Sequence, residues 1–166
     1  MAVYTKINKK DISLINTKFD IEKIISFNGI KKGIENTNYL LKSKNKKFIL
    51  TIFEKRVSNK DIPFFMKLME ILNSSNISCP KPLKNKADNY LIKLKNKTAC
   101  IVSFLEGKDK NTLDIHNCFD VGKTIARMHN VTKNIKLFRK NSMGIKNLNP
   151  LLESIKFRSK KFSNSE

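Results

Sequence analysis

The chain has 166 residues, 40% of them hydrophobic with 11 Phe, and a net charge of +20. That composition excludes a disordered chain, and the length allows one domain or one and a half around a real core. Only Arg56, Arg127, Arg139 and Arg158 are arginines among the 34 basic residues, and the lysines are scattered, so the charge reads as a solvated surface and argues against a nucleic-acid interface.

Residues Met1–Lys10 read as a lead-in. Ile12, Leu14, Ile15 and Phe19 then recur at helical spacing, which predicts a helix over Asp11–Phe19 with Asp11 as its N-cap. Ile24–Ile30 is apolar enough for a first strand. A polar loop, Lys31–Thr37, follows, with Gly33 free to take a positive φ. Asn38–Lys42 and Phe48–Glu54 are rich in β-formers and predict two more strands around a Lys/Asn turn. This stretch, Phe27–Arg56, organises the chain. Strand, polar loop, strand, turn, strand suits a lid over a nucleotide, and it suits a plain β-meander equally well.

Asp61–Ser74 reads as a helix, with Asp61 as cap, Pro63 in the first turn and Phe64, Phe65, Leu68, Met69 and Leu72 on one face. Pro80 and Pro82 force an extended connection. Tyr90–Leu94 and Thr98–Leu105 read as a hairpin turning around Lys95–Lys97, and the second of these strands is apolar enough to lie at the centre of a sheet. Leu113–His129 is expected to be helical with Val121, Ile125 and Met128 on one face. A third helix is expected over Leu151–Phe157 after Pro150, followed by a frayed tail from Arg158 to Glu166. Strands and helices do not alternate, so the class is α+β rather than doubly wound.

Cys79, Cys100 and Cys118 form no CxxC and no Cys/His ligand set, and are expected to be buried, reduced thiols. Lys6, Lys9, Lys10 and Asp11 interrupt any early apolar run, and no stretch approaches the ~20 apolar residues of a membrane span. The expectation is a soluble, cytoplasmic protein that engages no membrane.

The order of elements resembles a protein-kinase-like N-lobe. The segments MAVYTKI, ISFNGIKKGIENTNYLL, FILTIFEKR, DIPFFMKLMEIL, CPKPL, ACIVSFLEGK and VGKTIARMHN are similar to those of the homoserine kinases in the aminoglycoside-phosphotransferase-like (choline-kinase-like) superfamily. The resemblance covers most of residues 1–150. It implies a five-stranded antiparallel sheet plus helix over residues 1–105. It also implies a hinge and a partial, truncated helical C-lobe over residues 106–166.

The activity implied is transfer of a phosphoryl group from ATP to the hydroxyl of L-homoserine, a step toward threonine, with Mg2+ held by ligands expected in the missing part of the C-lobe. By the same resemblance Gly33, Asn36, Thr37 and Asn38 are expected at the phosphates, and Ser103–Leu105 at the adenine edge. Thr51 stands where such kinases usually carry a lysine, Lys55 is the nearest substitute, and Glu70 is a candidate partner for it.

The chemistry also needs a carboxylate to accept the hydroxyl proton, and carboxylate or amide ligands for the metal. No HxDxxxxN loop occurs, the last Asp is Asp120, and beyond His129 the acids are Glu153 and Glu166. No catalytic residue and no metal ligand is therefore assigned, and neither His116 nor His129 receives a role. The expectation is the N-terminal half of such an enzyme, with weak or no turnover by itself and self-association through the apolar face of Leu113–His129. Two alternatives stand beside it. One keeps the fold but takes choline, methylthioribose or an aminoglycoside as acceptor. The other is a lysine-rich nucleic-acid-binding module, which predicts steeply salt-dependent binding.

Overall fold

The computed structural model describes residues 3–55, 57–141 and 144–163, the last seven as backbone alone. Met1, Ala2 and Arg56 of the matched segments, and residues 164–166 of the expected tail, lie outside the described residues. The elements run α1 (Lys9–Lys18), β1 (Ser26–Gly29), β2 (Thr37–Lys42), β3 (Lys47–Ile52), α2 (Ile62–Ser74), β4 (Leu91–Leu94), β5 (Lys97–Ser103), α3 (Ile115–Thr132) and α4 (Ile145–Ser163). The five strands form one antiparallel sheet in the order β1-β2-β3-β5-β4. The expected α+β architecture is therefore present.

Each face of the sheet has its own helix, because side chains alternate along a strand. Tyr39, Leu41, Phe48, Leu50, Ile52, Ile92, Leu94, Ala99 and Ile101 share one face. They bury Ile12, Ile15 and Phe19 of α1. Burying each such Leu, Ile or Phe is worth roughly 1.5–3 kcal/mol. On the opposite face Ile49, Leu91, Cys100 and Val102 pack against Ile62, Phe65, Met66 and Met69 of α2, with Phe53 beside them. That helix covers β4, β5 and part of β3. Asn38, Leu40 and Thr51, on the same face, stay only half-buried.

Several local expectations are corrected. The cap of α1 is Asn8, not Asp11. Asn8 has the extended backbone a cap needs, and its side chain accepts from the Lys10 and Asp11 N–H groups. Asp11 reaches back to the Asn8 N–H at 2.8 Å, completing a capping box. Asp61 precedes α2 with a helical backbone and makes no cap bond; its Oδ2 accepts from Arg139 Nε at 3.0 Å instead.

The last helix begins at Ile145 and continues to Ser163, so residues 158–163 are helical rather than frayed. Pro150 removes one backbone donor without ending the helix. Cys118 is exposed, against expectation, because α3 buries none of its residues; Cys79 is intermediate and Cys100 buried. The hairpin between β4 and β5 turns through Lys95 and Asn96, both at positive φ, as a tight two-residue connection requires.

Candidate functional site

The loop between β1 and β2 is held at its ends and exposed at its tip. Gly33 sits at φ +108, and a Cβ there would meet nothing within 4 Å, so the need for glycine is conformational rather than spatial. Residues 31–35 are exposed. At the base the Ile30 N–H donates to the Asn38 carbonyl at 2.8 Å. Asn36 Oδ1 accepts from the Glu54 N–H at 3.3 Å, and Tyr4 Oη donates to the Ile34 carbonyl at 3.0 Å.

Below the loop, the register places Asn38 opposite Thr51 on the half-buried part of the α2 face. Thr51 Oγ1 donates to Asn38 Oδ1 at 2.8 Å, which leaves the Asn38 amide hydrogens without a partner among the described residues. Lys55 is exposed and likewise has no partner among the described residues. It lines a cleft of about 380 Å³ with Tyr4, Ile34, Glu35, Glu54 and Lys97.

Thr37 is different from its neighbours. It is fully buried, and its Oγ1 accepts the Tyr4 and Thr5 N–H groups at 3.0 and 3.1 Å while donating to Glu54 Oε1 at 2.7 Å. Thr37, expected at the phosphates, therefore has no side-chain donor left for a ligand, because its hydroxyl is already engaged. Glu54 also accepts from Thr5 Oγ1 at 2.7 Å and pairs with Lys97, whose Nζ donates to Thr5 Oγ1 at 2.8 Å.

Burial pushes the Glu54 carboxyl up, but the hydrogen bonds from Lys97, Thr37 and Thr5 outweigh it and hold the group below its ordinary range. This cluster was missed by the sequence reading. A signal was present: Thr37 alternates with Tyr39 and Leu41, and Glu54 continues the alternation of Leu50 and Ile52, which puts both on the packed face.

Glu70 is not the partner of Lys55. It accepts from Lys67 Nζ at 2.6 Å and from Tyr90 Oη at 2.6 Å. Those two donors hold its carboxyl low, while burial, and then the bond to Glu70, push the Tyr90 phenol up to about 12. Glu70 and Tyr90 line a separate cleft of about 540 Å³ with Asn73 and Lys84, which shares no residue with the loop cleft.

At the end of β5 the Ser103 N–H donates to the Lys81 carbonyl at 2.8 Å, and Ser103 Oγ accepts from the Lys81 N–H at 2.9 Å. The Phe104 N–H donates to the Lys47 carbonyl at 3.3 Å. The backbone groups of Leu105 have no partner among the described residues, and its side chain is exposed. Ser103 is thus tied into the fold, and Leu105 is the residue of this segment left open to a ligand. His116 and His129 both lie on exposed α3.

The sequence profile of the phosphotransferase enzyme family matches residues 26–162. A homoserine kinase of Beijerinckia indica is 38% identical over 95% of this chain and 49% of its own length. Those of Bartonella tribocorum and Parvibaculum lavamentivorans are 39% and 36% identical over 87% and 93% of this chain, and over 46% and 48% of their own lengths. The chain spans about half the length of the curated relatives it matches. Among solved structures, a microcompartment-associated aminopropanol kinase superposes with a TM-score of 0.65 at 12% identity, covering 84% of this chain and 48% of that one. A spectinomycin phosphotransferase in complex with ADP and spectinomycin gives 0.63 at 14% identity, over 86% and 44%. At such identities the likeness establishes a shared fold. Among the described residues no helix is long and apolar enough to cross a membrane.

Proposed function

Because this chain belongs to the phosphotransferase enzyme family, we propose that it is the nucleotide-gripping part of an enzyme that moves a phosphoryl group from ATP to the hydroxyl of L-homoserine, a step toward threonine. The observation that carries the reading is the open corner of the sheet. There the uncommitted Asn38 amide lies at the start of β2, directly after the Gly33 loop; Lys55 lines a cleft with Ile34 of that loop, and the backbone of Leu105 is free beyond the end of β5. The homoserine kinases at 36–39% identity support the acceptor.

In this reading each residue binds or orients. The exposed loop around Gly33 covers the phosphates with backbone N–H groups, as glycine-containing turns do. Asn36 closes the base of that loop on Glu54. Thr51 turns the Asn38 amide so that its hydrogens face the ligand. Lys55 supplies the positive charge that Thr51 cannot. Leu105 offers its backbone to the adenine edge, with Ser103 fixing the strand end that presents it. The division into a sheet lobe over 1–105 and a helical part over 106–166 belongs to the same proposal, as does residence in the cytoplasm with its ATP. Among the described residues no three His, Cys, Asp or Glu side chains could hold a metal ion, and Mg2+ is assigned no ligand here.

The test is calorimetric titration of the 166-residue chain with ATP and ADP, together with an assay for homoserine-dependent release of ADP. Saturable nucleotide binding is expected, weakened about fivefold by Asn38→Ala and by Lys55→Met, about 1 kcal/mol each, the net worth of one solvent-accessible hydrogen bond. Little or no ADP release is expected, since the chain carries no HxDxxxxN loop. No saturable binding of either nucleotide would sink the proposal. Titrating homoserine, choline, methylthioribose and an aminoglycoside into the ADP-bound chain ranks the acceptors.

A further inference from the structure

One short segment, residues 3–7, touches the glycine loop before it, within it and after it. Before the loop, a Cβ on Gly29 would come to 2.8 Å from Val3 Cγ2, so the segment lies against the backbone of β1 at a distance only glycine allows. Within the loop, Tyr4 Oη donates to the Ile34 carbonyl. After it, Thr37 Oγ1 takes the N–H groups of both Tyr4 and Thr5. Tyr39 Oη accepts from the Ile7 N–H at 3.2 Å and donates to the Thr5 carbonyl at 3.0 Å. Thr5 Oγ1 adds the bond to Glu54, the residue just before Lys55. The whole set lies on the α1 side of the sheet, behind the face that carries Asn38 and Thr51.

We infer that residues 3–7 form a strap that positions the glycine loop for the nucleotide phosphates, with Tyr4 and Thr37 as positioning residues. The inference rests on the phosphotransfer reading for its ligand. A polar loop free of the sheet loses much conformational entropy when it closes on a ligand. A loop already held at Gly29, Ile34 and Thr37 loses less, and binding is tighter by that difference. None of the strap's contacts needs to touch the nucleotide. Tyr4 is the informative position. The residue is 56% exposed, so removing its hydroxyl deletes one loop contact while leaving the core intact.

The test compares Tyr4→Phe, Thr37→Val and Thr37→Ser in the 166-residue chain by backbone 15N relaxation and by ATP titration. Loss of order confined to residues 31–35 is expected in Tyr4→Phe and Thr37→Val, with the Ser43–Lys46 turn unchanged. ATP affinity should fall about threefold to tenfold in both, Tyr4→Phe losing one hydrogen bond of the strap and Thr37→Val the three made by its hydroxyl. Thr37→Ser keeps the hydroxyl and should restore both readouts. Tyr4→Phe carries the test if Thr37→Val does not fold. A loop as ordered as wild type in Tyr4→Phe would overturn the strap, and so would a loosened loop with unchanged ATP affinity. A wild-type chain that binds no ATP sinks the phosphotransfer reading alone, and the relaxation data still decide whether the strap holds the loop.

Discussion

Thr51 Oγ1 donates to Asn38 Oδ1 at 2.8 Å, directly across the β2–β3 pairing and on the part of its face that α2 leaves uncovered. This bond fixes which end of the Asn38 amide points away from the sheet. Thr51→Val removes it without changing the shape of the strand. Stability should change by only about 1 kcal/mol, because both groups stay half-buried and can turn to water. Nucleotide affinity should fall about threefold, since the amide then rotates freely. Calorimetry on the variant checks both. An unchanged Kd would mean that Asn38 does not face the ligand.

Glu54 makes the fold acid-sensitive. Its carboxyl lies below the ordinary value of 4.5, because three donors outweigh its burial. A carboxyl depressed by folding contributes stability at pH values above its unfolded range. That contribution is lost as pH falls through the folded value. Glu54→Gln should therefore cost about 1–3 kcal/mol at pH 7, and the gap to wild type should shrink once pH drops below 4.5. Glu22 and Glu70 are depressed too and titrate in the same window, so the comparison with Glu54→Gln isolates the one group. Urea denaturation of both proteins at pH 7 and under acid gives the two gaps. A gap that does not narrow argues against an ionised Glu54 at the hub.

The three thiols should react in sequence. Cys118 is exposed on α3, Cys79 is partly covered with its thiol pushed up by burial, and Cys100 is buried with its thiol pushed up to about 12. A disulfide reagent at pH 8 should label Cys118 within the mixing time, Cys79 more slowly and Cys100 only after denaturation. Peptide mapping after timed quenching reads the order. Early labelling of Cys100 would mean that α2 does not stay packed on β5.

Leu113, Ile115, Phe119 and Val121 are each more than half exposed on or just before α3. Exposed apolar side chains of that kind favour association. The isolated chain should elute from a sizing column progressively earlier as its concentration rises. Phe119→Glu should hold it as a monomer over the same range. Identical elution of the two proteins would remove this face as the cause.

Much of the architecture was legible because it is local. Alternating apolar residues in β2, β3 and β5 and the helical spacing of α2 each announce an element, and matched family segments put these in order. The Gly33 loop was legible for the same reason. The cap at Asn8 and the absence of a cap bond from Asp61 were not, since a cap depends on one residue's backbone angles, which neighbouring positions set. The reach of α4 past Pro150 was missed because proline marks a boundary more often than it is carried inside a helix.

By itself the order of residues determined the strands, the faces they present and the family to which the chain belongs, all of which follow from periodicity and short-range pattern. Only the folded chain decided which polar residues meet. Thr37 was expected at a ligand and is buried, while Glu54 and Lys97 came together from residues 43 apart. Glu70, expected beside Lys55, turned to Lys67 and Tyr90 instead. The physical reason is register. A side chain's face and partner are set by how the strands and helices are aligned against one another, and that alignment is a property of the assembled core rather than of any single stretch.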